Sequence, residues 1–260
     1  MVPSWQHYGT YDESAHPDLW NGVVGYWAPC LGPTGLRLHD VSRYNNWGTL
    51  TTGAASWVLE SGVFARRQTN EIITCGDNTA LDFVSPFSAA VWARNISVSP
   101  DGGLFAKIIN ANFYAGWMMW INGGKLVAYW NSGGRATGAT TITALSRWVL
   151  FGICWTGTTA LVYIDGKQDS SAAYSTPPNA AGSPLVLSAY QSGREASGDY
   201  SDFMAWNRCL TANEWHQLYQ LGRGGMLQRK PRRRAYSVQA GFRAYYATQR
   251  NAQLIGGGLK

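Results

Sequence analysis

The chain has 260 residues, 45% hydrophobic and 13% aromatic, with 30 Gly and 14% charged side chains; this supports a sizeable core built of short strands joined by tight turns and argues against a helical fold. Residues 1–220 carry 12 Lys+Arg against 15 Asp+Glu and residues 221–260 carry 9 Lys+Arg with no acid, so the net +6 is a mildly acidic body (−3) followed by a basic tail (+9). No run approaches the roughly 18 apolar residues of a membrane-spanning helix, and residues 1–20 have neither the basic nor the apolar region of a secretory signal.

In chain order, residues 1–18 are polar and aromatic without a period and read as an extended arm. Short apolar strands follow over 23–27, 57–59 and 72–75, and residues 36–44 lead into a turn at Asn45-Asn46-Trp47-Gly48. Residues 87–94 alternate with period two, which places Phe87, Ala89, Val91 and Ala93 on one face. Asn122-Gly123-Gly124 and Asp165-Gly166 separate strand-like runs and predict two hairpins, since Asn, Asp and Gly tolerate the positive φ such turns demand. Residues 148–155 put Val149, Phe151, Ile153 and Trp155 on one face. Further strands are expected over 184–190 and 200–207. One helix is expected after Thr211-Ala212-Asn213-Glu214, a capping box, with Trp215, Leu218 and Tyr219 on its apolar face and Gly222 at its end. Strands every 10–15 residues with Gly-rich turns indicate an all-β antiparallel sandwich. The cysteines at 30, 75, 154 and 209 form no C-x-x-C pair; Cys154 and Cys209 read as small buried hydrophobes, with disulfide pairing left open.

The order of several motifs resembles the LamG-like, concanavalin A-like jelly-roll family. Val23-Val24-Gly25-Tyr26-Trp27 is similar to its first strand, and Asp40-Val41-Ser42-Arg43-Tyr44-Asn45-Asn46-Trp47-Gly48-Thr49-Leu50 to the loop that follows. Leu81-Asp82-Phe83, the strand over 87–94, Trp155 with 161–167, and the segment from Asp202 to Glu214 with Leu218-Tyr219 resemble later motifs. The resemblance covers residues 19–221. It implies a two-sheet jelly roll with six or seven strands per sheet, one short C-terminal helix, and a glycan- or protein-binding role, with calcium in some members. The expected organisation is an arm (1–18), a jelly roll (19–221) and a basic docking tail (222–260).

Chemistry is tested by residue pattern. A glycosidase needs two carboxylates roughly 5–10 Å apart, and no E-x-D-x-x-E strand occurs. No G-x-S-x-G elbow or phosphate-binding glycine loop occurs either, so a non-enzymatic protein is expected. No cofactor is expected, with calcium left open; Asp40 and Asp202 are its candidate ligands, against their ordinary role of bonding local backbone amides. Tyr114, Trp117, Trp130, Arg135 and Tyr190 are the candidate glycan-binding residues, because aromatic faces suit the C–H surface of sugars and Arg can bond hydroxyls.

Gly222-Arg223-Gly224-Gly225 reads as a flexible hinge leading into QRKPRRR. Arg229, Lys230, Arg232, Arg233, Arg234, Phe242, Tyr245 and Tyr246 are the candidate docking residues. The basic run is short and no nucleic-acid-binding fold accompanies it, so an acidic protein surface is preferred to nucleic acid as its partner. The ending over 247–259 resembles the C-termini of LamG-type proteins in phage-like gene clusters. The expectation is a virion protein, made in the host cytoplasm without a signal peptide. It would be held by its tail to capsid or tail proteins as a homo-oligomer within the assembly, present its jelly roll to surface glycans and have no membrane partner. The alternative is a cellular extracellular glycan-binding or adhesion module.

Overall fold

The computed structural model describes residues 15–50, 56–69, 72–97, 101–108, 115–142, 146–190 and 194–227. The chain divides into compact units Met1–Gln228 and Arg229–Lys260; the second lies outside the described residues, as do the tail candidates Arg229 through Tyr246 and residues 1–14 of the arm. In chain order, β1 is Val23–Trp27, β2 Arg37–Leu38, β3 Gly48–Thr49, β4 Ser56–Glu60, β5 Val63–Gln68, β6 Ile73–Thr74, β7 Phe87–Ser97 and β8 Asp101–Ile108. They are followed by β9 Gly116–Asn122, β10 Lys125–Trp130, β11 Gly133–Thr137, β12 Val149–Trp155, β13 Thr159–Ile164, β14 Lys167–Ala173, β15 Val186–Leu187 and β16 Ser197–Trp206.

These strands form two antiparallel sheets of eight, a jelly-roll sandwich with one or two more strands per sheet than the resemblance implied. Sheet one runs β14-β13-β12-β7-β16-β5-β4, with β1 also on β16; sheet two runs β11-β10-β9-β8-β15-β6-β3-β2. Both predicted hairpins are present: Gly123 and Gly124 turn β9 into β10, and Asp165 and Gly166 turn β13 into β14, all four at positive φ.

Side-chain alternation builds the core. Phe87, Ala89, Val91 and Ala93 of β7 meet Val149, Phe151, Ile153 and Trp155 of β12 in one buried cluster with Leu104, Phe105, Trp117 and Trp130 from sheet two. The other face of the same strands, with Ala90, Trp92, Leu150 and Cys154, enters a second cluster. That cluster is covered by two helices, α1 Pro17–Trp20 and α2 Ala212–Leu221. Burial on both faces explains why β7 and β12 read as nearly continuous small and apolar runs.

Helix α2 begins at the predicted capping box. Thr211 Oγ1 accepts from the Glu214 amide at 3.3 Å, and Glu214 Oε2 accepts from the Thr211 amide at 2.7 Å. Trp215 stacks on Tyr163 at 4.6 Å. It needs Gly152 beneath it, where a Cβ would fall 2.4 Å from the indole. Cys154 and Cys209 form a disulfide that ties β12 to the approach to α2, so they are cross-linked rather than merely packed. Residues 222–227 do not form the expected flexible hinge. The Gly224 amide donates to Asp202 Oδ2 at 2.5 Å, Arg223 pairs with Glu60, and Met226 is buried against the helix-covered face.

Candidate functional site

The turn over 40–48 is built around one carboxylate. Asp40 is buried and accepts from the amides of Tyr26 (2.9 Å), Ser42 (2.9 Å) and Asn46 (2.8 Å) and from Ser42 Oγ (2.9 Å). Four donors on two oxygens fix the loop to β1. Asn46 pins it again: its carbonyl accepts from Trp27 Nε1 at 2.5 Å, and its side-chain oxygen accepts from Asn78 Nδ2 at 2.8 Å. With Asp40 and Asn46 turned inward, the residues beside Asn46 turn outward. Asn45 is exposed at φ +52°, and Trp47 is 37% exposed, the one exposed Phe, Tyr or Trp among the described residues.

Trp47 stands at an open cleft of about 670 Å³ lined by Arg37, Asn45, Asn46, Trp47 and Gly76. The Arg37 guanidinium lies over the indole, 5.4 Å from its centroid, and the His39 ring is 4.3 Å away. Partial burial, and then the Arg37 charge, hold the His39 imidazole below its ordinary pKa, so it is neutral at pH 7. The cleft thus offers an aromatic face held by a rigid loop, an exposed amide and a guanidinium, with a neutral imidazole packed beside the indole. None of its lining side chains is a carboxylate.

The expected glycan-binding residues lie elsewhere. Trp117 and Trp130 are fully buried between the sheets, donating their indole N–H groups to Leu81 O (2.9 Å) and Thr176 O (3.2 Å). They are core residues because they share the inward parity of β9 and β10 with Met119, Ile121, Leu126 and Ala128. Arg135 bonds the carbonyls of Trp130 and Asn131 and lies 4.2 Å over Tyr174, which occupies its donors. Tyr190 is buried, but on the outer face of sheet two, within 5.9 Å of Trp120, which also meets Tyr129. Tyr114 lies outside the described residues.

The residues missed are Arg37, Asn45 and Trp47 in the cleft, His39 beside the Trp47 indole, and Trp120 and Tyr129 on the sheet face. A tryptophan inside a polar Asn-Asn-Trp-Gly turn was the available signal for the first group. Shifting the parity of β9 and β10 by one residue would have found the second.

Asp40 and Asp202 do not fit a calcium site. Asp40 already holds four donors. Asp202 accepts from Tyr26 Oη (3.1 Å), Ser201 Oγ (3.1 Å) and the Gly224 amide, and burial raises its carboxyl above the usual range. Among the described residues no three His, Cys, Asp or Glu side chains are grouped to hold a metal ion. The nearest thing to a cation site is filled by the chain itself. The fully buried Lys107 ammonium meets the Asp77 carboxylate, Asp82 Oδ1 at 3.2 Å, and the carbonyls of Ala181 (3.0 Å) and Ser183 (2.8 Å).

Residues 67–214 match the model of the concanavalin A-like lectin/glucanases superfamily. No curated protein matches the chain in sequence. Among solved structures, the binding domain of Paraclostridial Mosquitocidal Protein 1 superposes with a TM-score of 0.63 at 15% identity, over 77% of this chain and 52% of that one. The binding domain of botulinum neurotoxin serotype G gives 0.58 at 17% identity, over 76% and 51%. Domain 4 of an extracellular arabinanase from Geobacillus stearothermophilus, in complex with arabinotriose, gives 0.60 at 14% identity, over 79% and 98%. The chain therefore spans about half the length of the two toxin domains and nearly all of the arabinanase domain, and at these identities the likeness shows the fold alone.

Proposed function

Because the chain belongs to the concanavalin A-like lectin/glucanases superfamily, we propose that it is a non-catalytic saccharide-binding module whose ligand seats against Trp47. The observation that carries this reading is the pairing of one exposed indole with a loop locked from beneath by Asp40 and Asn46. A flat apolar face receives a sugar's C–H surface, and Asn45 and Arg37 are at hand for hydroxyls. Because the loop is fixed in advance, little ordering opposes binding. The arabinotriose held by the arabinanase domain supports a saccharide for a sandwich of this kind. The absence of a carboxylate pair from the cleft lining supports binding without hydrolysis.

A glycan array probed with the full chain, Trp47→Ala and Trp120→Ala tests this. Hits lost only in Trp47→Ala support it; hits lost only in Trp120→Ala move the site to the outer face of sheet two. We further propose that residues 229–260 anchor the protein to an acidic surface of a virus particle, as a homo-oligomer that presents the sandwich to host glycans. The concentration of positive charge without any acid in residues 221–260 supports this. Mass spectrometry of purified particles from wild-type and 229–260-deleted strains tests it: loss of the truncated protein from particles is expected, and full retention contradicts the anchor.

A further inference from the structure

We propose that the Trp47 cleft selects saccharides carrying a carboxylate, an inference that rests on the saccharide reading of the same cleft. Several of the sandwich's cations are spent on its own carboxylates, whereas Arg43, Lys125, Arg135 and Lys167, which also lack a carboxylate partner among the described residues, do not line the cleft. Arg67 and Arg94 bond Asp199, Arg147 bonds Asp165, Arg194 bonds Asp101, Arg208 bonds Glu214, and Lys107 bonds Asp77 and Asp82. Arg37 is exposed, lies over Trp47, and has no carboxylate partner among the described residues. The carboxylates nearest in the loops that form the cleft are committed elsewhere. Asp40 is buried under its four donors, and Asp77, next to Gly76, is bonded by Lys107.

The guanidinium is thus held in place by the indole and left without an anion. A guanidinium lying over an aromatic face keeps its in-plane N–H groups for a bidentate carboxylate, a geometry that a hydroxyl cannot match. A sugar stacked on Trp47 with an acid group at its rim would meet Arg37 at one edge and the Asn45 amide at the other. His39 adds a second positive charge when it is protonated. A charge-assisted bond of this kind raises affinity by about 10- to 100-fold over a neutral partner.

The test uses the full chain on an array that carries uronate- and sialic acid-terminated glycans, each beside its methyl ester, with the acid–ester pair giving the strongest signal titrated by calorimetry. The acid is expected to bind about 10- to 100-fold more tightly than the ester. Arg37→Met is expected to remove most of the difference between acid and ester, and Arg37→Lys to restore part of it. Equal affinity for acid and ester, each lost in Trp47→Ala, would overturn the acid selectivity while leaving the saccharide reading intact. No Trp47-dependent binding to any glycan on the array would overturn both.

Discussion

Lys107 and Arg37 carry the same charge and are joined through residues 76–78, yet the fold uses them in opposite ways. Asp77 bonds Lys107, Asn78 holds Asn46 beneath the Trp47 loop, and Gly76 lines the cleft where Arg37 lies. Lys107 is fully buried with two carboxylates and two carbonyls, so its charge is consumed by tying the β6–β7 and β14–β15 loops to β8. Arg37 rests on a ring at the surface with no anion beside it. A buried and fully partnered cation serves the fold; an exposed one, oriented but unpaired, is left for a ligand. The same contrast separates Trp117 and Trp130, which are core, from Trp47.

The largest effect is expected at the buried cation. Lys107→Met removes the cation that Asp77 and Asp82 face and one donor from each of two carbonyls, and should cost about 3–5 kcal/mol, roughly 10 °C of melting temperature by calorimetry. Arg37→Met should move the melting temperature by no more than about 2 °C. A small loss at Lys107 or a large one at Arg37 would erase the contrast. Trp117→Ala should likewise cost about 3–5 kcal/mol in denaturant titrations, whereas Trp47→Ala should leave the denaturation midpoint nearly unchanged and lower saccharide affinity at least about tenfold.

Next in size is the Cys154–Cys209 cross-link on the helix-covered face of sheet one. The double variant Cys154→Ala, Cys209→Ala should lose about 2–5 kcal/mol with saccharide affinity unchanged below its melting temperature, because neither sulfur belongs to the cleft. The smallest effect is that of pH. His39 is neutral at pH 7 because its pKa is lowered; a bound carboxylate favours the imidazolium and raises that pKa in the complex. Binding therefore takes up a proton, and affinity for an acidic saccharide should rise about two- to threefold as pH falls from 7 toward 5. The methyl ester should show no such rise, nor should the acid with His39→Gln.

The sandwich was legible because its signals are local and repeated. Alternation over 87–94 and 148–155 set the inward faces, Gly-containing turns set the hairpins, and Thr211 with Glu214 marked the helix start. The site was less legible because parity decides it. Trp117 and Trp120, or Tyr129 and Trp130, differ by an odd number of residues and so by which side of the sheet they face, and only the inward side enters the core between the sheets. The Cys154–Cys209 bond joins residues 55 apart in the chain, and their composition and spacing do not specify it. Asp40 was visible as a loop carboxylate, but its four donors come from the folded turn and from β1, which only the tertiary arrangement brings to it. Arg37 carried no motif; its meaning comes from its place over Trp47 at a cleft whose lining holds no carboxylate.

The most direct measurement is a titration of an array-positive acidic saccharide into ¹⁵N-labelled protein, following the indole N–H and arginine Nε–H resonances. Saturable shifts of the Trp47 indole and of Arg37 Nε at a common Kd are expected, with the Trp120 indole unmoved. Shifts confined to Trp120, or saturation that leaves Trp47 and Arg37 unchanged, would contradict that expectation.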